Sequence, residues 1–432
     1  MNYVDTKHLN FLFDQTTAYG MLLAEYGLGA EFDRIAKGLE STLETALNEV
    51  KTLAKQADSS DEPNCFAGIR ALCKGGNTPV KGLPDLQSRM TGAVLGRFAG
   101  CVLGAAVEFW SIHDMQKLAE LCDMPFPPTD YWTTVPYPWE IRYLTDPRIM
   151  YTRDAMDGVP VDDDITYTIL GLLIIERYGF DFTTHQVGEI WKELLPMAYT
   201  AEEVALNNLN AGISALEAGD VNNPYAQWIG ADIRADGFAF AAAGDPEWAA
   251  SMGYRDAYLS HRRNGIYGEM FFAAAIAAAF TVTDPLEAIN IALREIPQTC
   301  ALYRDIKWAL EIGPTLEDYL AARQAVDKRF EGMHGVHTNN NACLTIFGLI
   351  LGKGDFTQTI ANVVAMGLDN DCTAATAGSI MGAIVGQNGI STHWTRHFNN
   401  SVRTYLRGMP VFSIEDIVNR FVKLAESQKN MQ

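Results

Sequence analysis

Asp369 and Asp371 stand one residue apart in Leu368-Asp-Asn-Asp-Cys-Thr373, directly ahead of a small-residue segment, Ala374–Gly386. Three more aspartates, Asp162, Asp163 and Asp164, follow Pro160 and open the almost wholly apolar run Ile165–Ile175. A sixth carboxylate, Glu108, closes the stretch Thr91–Glu108. Carboxylate oxygens are hard donors of the kind that Mg2+, Mn2+ and Ca2+ prefer. Adjacent aspartates repel one another unless water or a cation neutralises them. A pair of divalent ions held by such groups would polarise a substrate oxygen and orient water, leaving Glu108 as general base or further ligand. Cleavage of a glycosidic bond calls for groups of this type beside an oxocarbenium-like centre. The plainer reading is that the aspartates cap helix N-termini and that Glu108 ends a solvated helix.

Residues four apart share a helix face. Gly92, Gly96, Gly100 and Gly104 recur at that interval, and so do Ala374, Gly378, Gly382 and Gly386. Glycine inside a helix costs roughly 1 kcal/mol against alanine, so its repetition predicts that another backbone comes close. One further step of four from Gly104 reaches Glu108, on the same slowly drifting face. Helical periodicity runs through residues 11–57, 165–179, 184–195 and 201–218, and resumes in stretches from Trp248 onward. No clean period-2 alternation or tandem repeat interrupts it. The expected fold is all-α: a compact multi-helix body over residues 86–432 with an N-terminal helical extension over residues 1–85. From Asp123 to Pro160 the texture changes, with Pro125, Pro127, Pro128, Pro136, Pro138 and Pro147 interleaved with aromatics from Phe126 to Tyr151. Proline this dense forbids a continuous helix. Such a loop is either a substrate cover or an aromatic patch that packs down.

The chain of 432 residues is 48% hydrophobic and carries a formal net charge of −20. That field argues against nucleic acid or an anionic membrane as the main partner. An anionic substrate would need metal ions or arginines to receive it. Seven cysteines without regular spacing read as reduced thiols of a cytoplasmic protein. The longest apolar run, Met270–Phe280, is too short for a bilayer, which needs about 20 residues, and reads as a buried helix.

The ordered series of the glycine helix ending in Glu108, then Asp-Asp-Asp-Ile-Thr at 162–166, then Leu-Asp-Asn-Asp-Cys-Thr-Ala-Ala-Thr-Ala-Gly-Ser-Ile-Met-Gly at 368–382, resembles the ADP-ribosylglycohydrolase family. The family includes dinitrogenase reductase-activating glycohydrolases and ADP-ribosyl-arginine hydrolases. The resemblance implies an all-helical domain with two divalent cations, Mg2+ first and Mn2+ second, at the base of an ADP-ribose cleft. Asp163 and Asp164 match the family's paired aspartates, with Asp162 where the family has threonine. Asp369, Asp371 and Cys372 match its late Asp-x-Asp-Thr/Ser motif. Glu108 matches its glutamate. The implied roles are catalytic for Glu108, Asp163 and Asp164, and metal-ligating for Glu108, Asp162, Asp163, Asp164, Asp369, Asp371 and Cys372. Gly230, Ala231 and Arg234 fall in the segment resembling the diphosphate loop, His261 in a histidine-bearing helix start, and Asn340 near the cleft. Arg234 would face the diphosphate or pair with Asp232 or Asp236. His261 would touch phosphate or ribose, or be a plain surface histidine.

Departures sharpen the question of metal and substrate. Cys101 stands where an aspartate is common, and Cys372 is a softer donor than a hydroxyl. Thr373 could substitute, but one residue turns it about 100° around a helix. The resemblance implies hydrolysis of an ADP-ribosylated protein or small conjugate, arginine first, by a monomer. Hydrolysis of another N-glycoside, such as a nucleoside, and ADP-ribose binding without turnover are the alternatives.

Overall fold

The computed structural model describes residues 7–25, 27–56, 60–74, 83–135, 143 and 150–429. Pro136, Tyr137, Pro138, Trp139 and Pro147 of the expected aromatic loop lie outside these residues. The chain divides into two compact units, Met1–Glu62 with Phe330–Met333, and Pro63–Arg329 with His334–Gln432. In the first, α1 (Lys7–Glu25) and α2 (Gly29–Gln56) form a hairpin in which the Phe32 ring occupies the space a Gly20 side chain would need.

The second unit contains α3 (Phe66–Leu72), α4 (Leu86–Ala105), α5 (Ile112–Leu121), α6 (Asp163–Tyr178), α7 (Thr184–Leu194) and α8 (Thr200–Asn210). A 3-10 turn, Ile229–Arg234, leads into α9 (Ala235–Ala241), followed by α10 (Pro246–Ala257), α11 (Asn264–Ala279) and α12 (Pro285–Ala292). Then come α13 (Ala301–Ile312), α14 (Tyr319–Arg329), α15 (Thr338–Gly352), α16 (Phe356–Met366), α17 (Asn370–Val385) and α18 (Ile414–Lys429). The fold is all-α. Two short antiparallel strands, β1 (Ser401–Arg403) and β2 (Val411–Ser413), are the one sheet among the described residues. Their three-residue length gives too little alternation to be read from sequence.

Local chemistry explains the boundaries. Asp245 and Asp284 cap α10 and α12, each followed by a proline that is preorganised for the first helical turn. Asp162 caps α6 by accepting from the Asp164 N–H, and Gly179 ends it with a φ of 77°. The Ala-rich α11 is buried along its whole length and forms the centre of the body.

The two glycine ridges meet. Gly92 faces Gly382 and Gly386, Gly96 faces Gly378, Gly100 faces Ala374, and Gly104 faces Asn370 and Asp371. The falling partner numbers make α4 and α17 antiparallel, with backbones in direct contact. A Cβ on Gly104 would stand 2.5 Å from the Asn370 carbonyl oxygen and the Asp371 nitrogen. This pairing places the end of α4 against the start of α17.

Glu108 departs from its expected position on the α4 face. The helix stops at Ala105, Val107 N–H turns back to the Gly104 carbonyl at 2.8 Å, and Phe109 has a φ of 60°. Phe109 N–H then bonds the Leu368 carbonyl at 3.1 Å. Glu108 therefore reaches Asp369 from a turn. The described part of the aromatic stretch packs inward: Tyr131 donates to the Trp394 carbonyl at 2.8 Å and Trp132 to the Leu103 carbonyl at 3.0 Å. No helix among the described residues is long and apolar enough to cross a membrane.

Candidate metal centre

The carboxylates converge in two groups. Ligand oxygens of Glu108, Asp369 and Asp371 lie within 4.8 Å of one another, and so do those of Asp162, Asp163 and Asp164. The first group is mounted on the α4–α17 pair. The second hangs on the start of α6, which follows a strand-like attachment: Val159 N–H bonds the Ser401 carbonyl at 2.8 Å, and Arg403 N–H bonds the Val159 carbonyl at 3.0 Å.

The two groups act on each other electrostatically. Burial pushes the Asp369 carboxyl well above the usual carboxylate range, and the negative charges of Asp371, Glu108 and Asp164 add to it. Burial likewise raises Asp164, opposed by Arg97 and reinforced by Asp371, Asp162 and Asp163. Each group thus feels the other's charge. Asp369 makes no side-chain capping bond at the start of α17, so helix capping does not explain it. Asp162 does cap, which gives that residue a structural use as well.

Arg97 is the cation already inside. It is fully buried, pairs with Asp164 at 2.9 Å and Asp236 at 2.8 Å, and donates to the Ile233 carbonyl at 2.9 Å. An arginine among the small and apolar residues of α4 demands a buried partner. That was the signal available in the sequence. Arg97→Met would leave Asp164 and Asp236 buried and uncompensated, so a loss of about 3–5 kcal/mol is expected in urea unfolding.

The sequence profile of ADP-ribosylglycohydrolases matches residues 83–430. The chain belongs to the ADP-ribosylglycohydrolase family. A solved structure described as an ADP-ribosylglycohydrolase-related protein complex is 19% identical, with a TM-score of 0.50 over 79% of this chain and 98% of that chain. At that identity the likeness speaks for the fold alone. No curated protein matches.

In this member of the family the donor set fits hard divalent cations: buried carboxylates that oppose one another gain by sharing positive charge. Cys372 belongs to neither group of ligand atoms. Burial, with Asp164 and Asp369 nearby, pushes its thiol well up, and the same holds for Cys101 beside Asp162, Asp164 and Asp371. Cys372 is buried in the first turn of α17.

The residues expected around substrate form a second neighbourhood. The Gly230 loop meets the turn before α15 through Ile229 N–H to the Val336 carbonyl at 2.9 Å, and Thr338 donates to Asp232 at 2.6 Å. Arg262 N–H bonds the Ala226 carbonyl at 2.9 Å, bringing the His261 turn to the same place. Arg234 is corrected in its pairing. It is buried against Glu202 at 2.6 Å, Asp256, and Glu269 at 3.3 Å, instead of Asp232 or Asp236. With its guanidinium so engaged it supports the loop from behind. Gly230 leaves the space that the Glu202 carboxylate fills, and Ala231 is buried. His261 is no surface residue; it is buried, with Nδ1 2.8 Å from the Ser260 hydroxyl, and burial with Arg234 and Arg262 keeps it neutral. Asn340 is also buried, donating to the His334 carbonyl at 3.0 Å and accepting from the Asn341 N–H at 2.9 Å.

One arginine cannot neutralise three carboxylates. Burial outweighs the attraction of Arg234 and lifts Glu202 from 4.5 to about 7. A carboxyl raised on folding is fully tolerated below its unfolded value and costs stability as pH climbs through the folded one. Between pH 5 and 8 this group should remove about 2.5 kcal/mol. Glu202→Gln should flatten that slope, as measured by urea unfolding at the two pH values.

Proposed function

We propose that the protein is a divalent-metal-dependent hydrolase that cleaves the N-glycosidic bond joining ADP-ribose to a side chain, arginine first. The observation that carries this reading is the convergence of carboxylates from three remote parts of a chain in this family. Mg2+ is the preferred ion, with Mn2+ second, because the donors are carboxylate oxygens. When bound, such ions supply positive charge that polarises a sugar oxygen.

The chain's own groups would do the rest. Asp162, Asp163, Asp164, Asp369 and Asp371 hold the charge in place. Glu108, half-buried in its turn, can take a proton from water. Arg97 keeps Asp164 aimed while satisfying the Ile233 carbonyl, which ties the acidic groups to the Gly230 loop. Asp163 and Asp164 act at the sugar through the charge they carry.

Incubation with Mg2+ and ADP-ribosyl-arginine should release free ADP-ribose, read by chromatography. Release that survives both Asp369→Asn and Asp371→Asn would refute the mechanism. Turnover of nucleosides with no release from the conjugate would redirect the assignment to another N-glycoside.

A further inference from the structure

Three tyrosines from separate segments gather beside Asp163. The Tyr143 hydroxyl donates to Asp163 Oδ1 at 2.5 Å and accepts from the Asp163 N–H at 3.0 Å. Its ring stacks on Tyr405, with centroids 5.3 Å apart and planes 15° from parallel. Tyr199 meets the same ring edge-on at 5.8 Å and 81°.

The mounts are firm. Tyr199 precedes the first turn of α8, whose Glu202 is held by buried Arg234. Tyr405 lies between Thr404, whose N–H bonds the Pro410 carbonyl at 3.0 Å, and Arg407, whose N–H bonds the Leu194 carbonyl at 2.9 Å. Yet Tyr199 leaves 45% of its surface in solvent. Asp163 and Glu108 are the half-buried members of the two acidic groups, whereas the other four are buried, so the open side of the centre is the side on which Asp163 and the tyrosines lie.

Electrostatics selects what belongs there. The carboxylates outnumber the charges that two divalent cations would bring, so the approach keeps a negative potential. Tyrosine faces are negative as well and attract cations that lie over them. A flat ring is best covered by a flat group. We propose that Tyr199, backed by Tyr143 and Tyr405, is the wall against which the departing group of the substrate lies, and that it selects a planar cation of the guanidinium type. The inference rests on the ADP-ribosyl hydrolysis proposed above and adds the residues that choose the leaving group.

The test compares an arginine-linked with a serine-linked ADP-ribose conjugate on the full chain with Mg2+, alongside calorimetric binding of free ADP-ribose. Tyr199→Ala should raise KM for the arginine conjugate about 5- to 20-fold, while kcat, the serine conjugate and free ADP-ribose affinity hold within about twofold. Tyr199→Phe, which keeps the ring face, should restore the arginine preference. An equal change toward both conjugates, no change toward either, or a parallel loss of ADP-ribose affinity overturns the wall. A wild-type protein that binds no ADP-ribose and cleaves neither conjugate overturns the hydrolase reading itself, and the wall with it. One that binds ADP-ribose and treats the two conjugates alike overturns only the wall.

Discussion

Gly100→Val is expected to cost about 3 kcal/mol in urea unfolding and to abolish calorimetric Mg2+ binding. A Cβ at Gly100 would fall inside the contact radius of the Ala374 carbonyl, which is backbone and has no rotamer to change. The helices must then separate, and they are what sets Glu108 against Asp369 and Asp371. Packing and site geometry should fail together. Gly38→Ala, in α2, provides the contrast, since nothing lies within 4 Å of a Cβ there. That change should raise helix stability by about 0.5–1 kcal/mol. If Gly100→Val keeps wild-type stability and still binds Mg2+, direct backbone contact between α4 and α17 is refuted.

Asp369→Asn should reverse sign with metal. In chelator, the variant loses one of several buried like charges, so its melting temperature should equal or exceed that of the wild type. With Mg2+ at about 100 times its dissociation constant, the wild type should gain about 2.7 kcal/mol and the variant little. Hydrolysis should fall at least about 100-fold, since even residues behind metal ligands cost 10- to 100-fold when changed. A variant less stable in chelator but fully stabilised by Mg2+ would show that Asp369 serves packing and not the ions.

The glycine ridges, the run Asp162–Asp164 and the pair Asp369 and Asp371 were readable because each is local in sequence. Glycine every fourth residue, and aspartates one or two apart, leave marks within a few positions. Family resemblance rested on the same marks. Glu108 meets Asp369 and Asp371 from a turn and not from the α4 face, because α4 ends where the Asn370–Asp371 backbone crowds Gly104, a contact made 266 residues away in the chain. Arg234 misled for a related reason: its carboxylates come from α8, α10 and α11, whereas the aspartates adjacent in sequence point elsewhere. The tyrosine wall joins residues 143, 199 and 405, and no spacing pattern records such a meeting.

The two acidic groups are fastened differently. Asp369 and Asp371 sit at the end of the glycine seam between α4 and α17, whereas Asp162–Asp164 open the buried α6 and are held by Arg97, by Tyr143 and by the bridge from Val159 to Val402. A change at Asp164 would thus be felt beyond its own group, because the guanidinium that pairs with it also holds the Ile233 carbonyl at the end of the Gly230 loop.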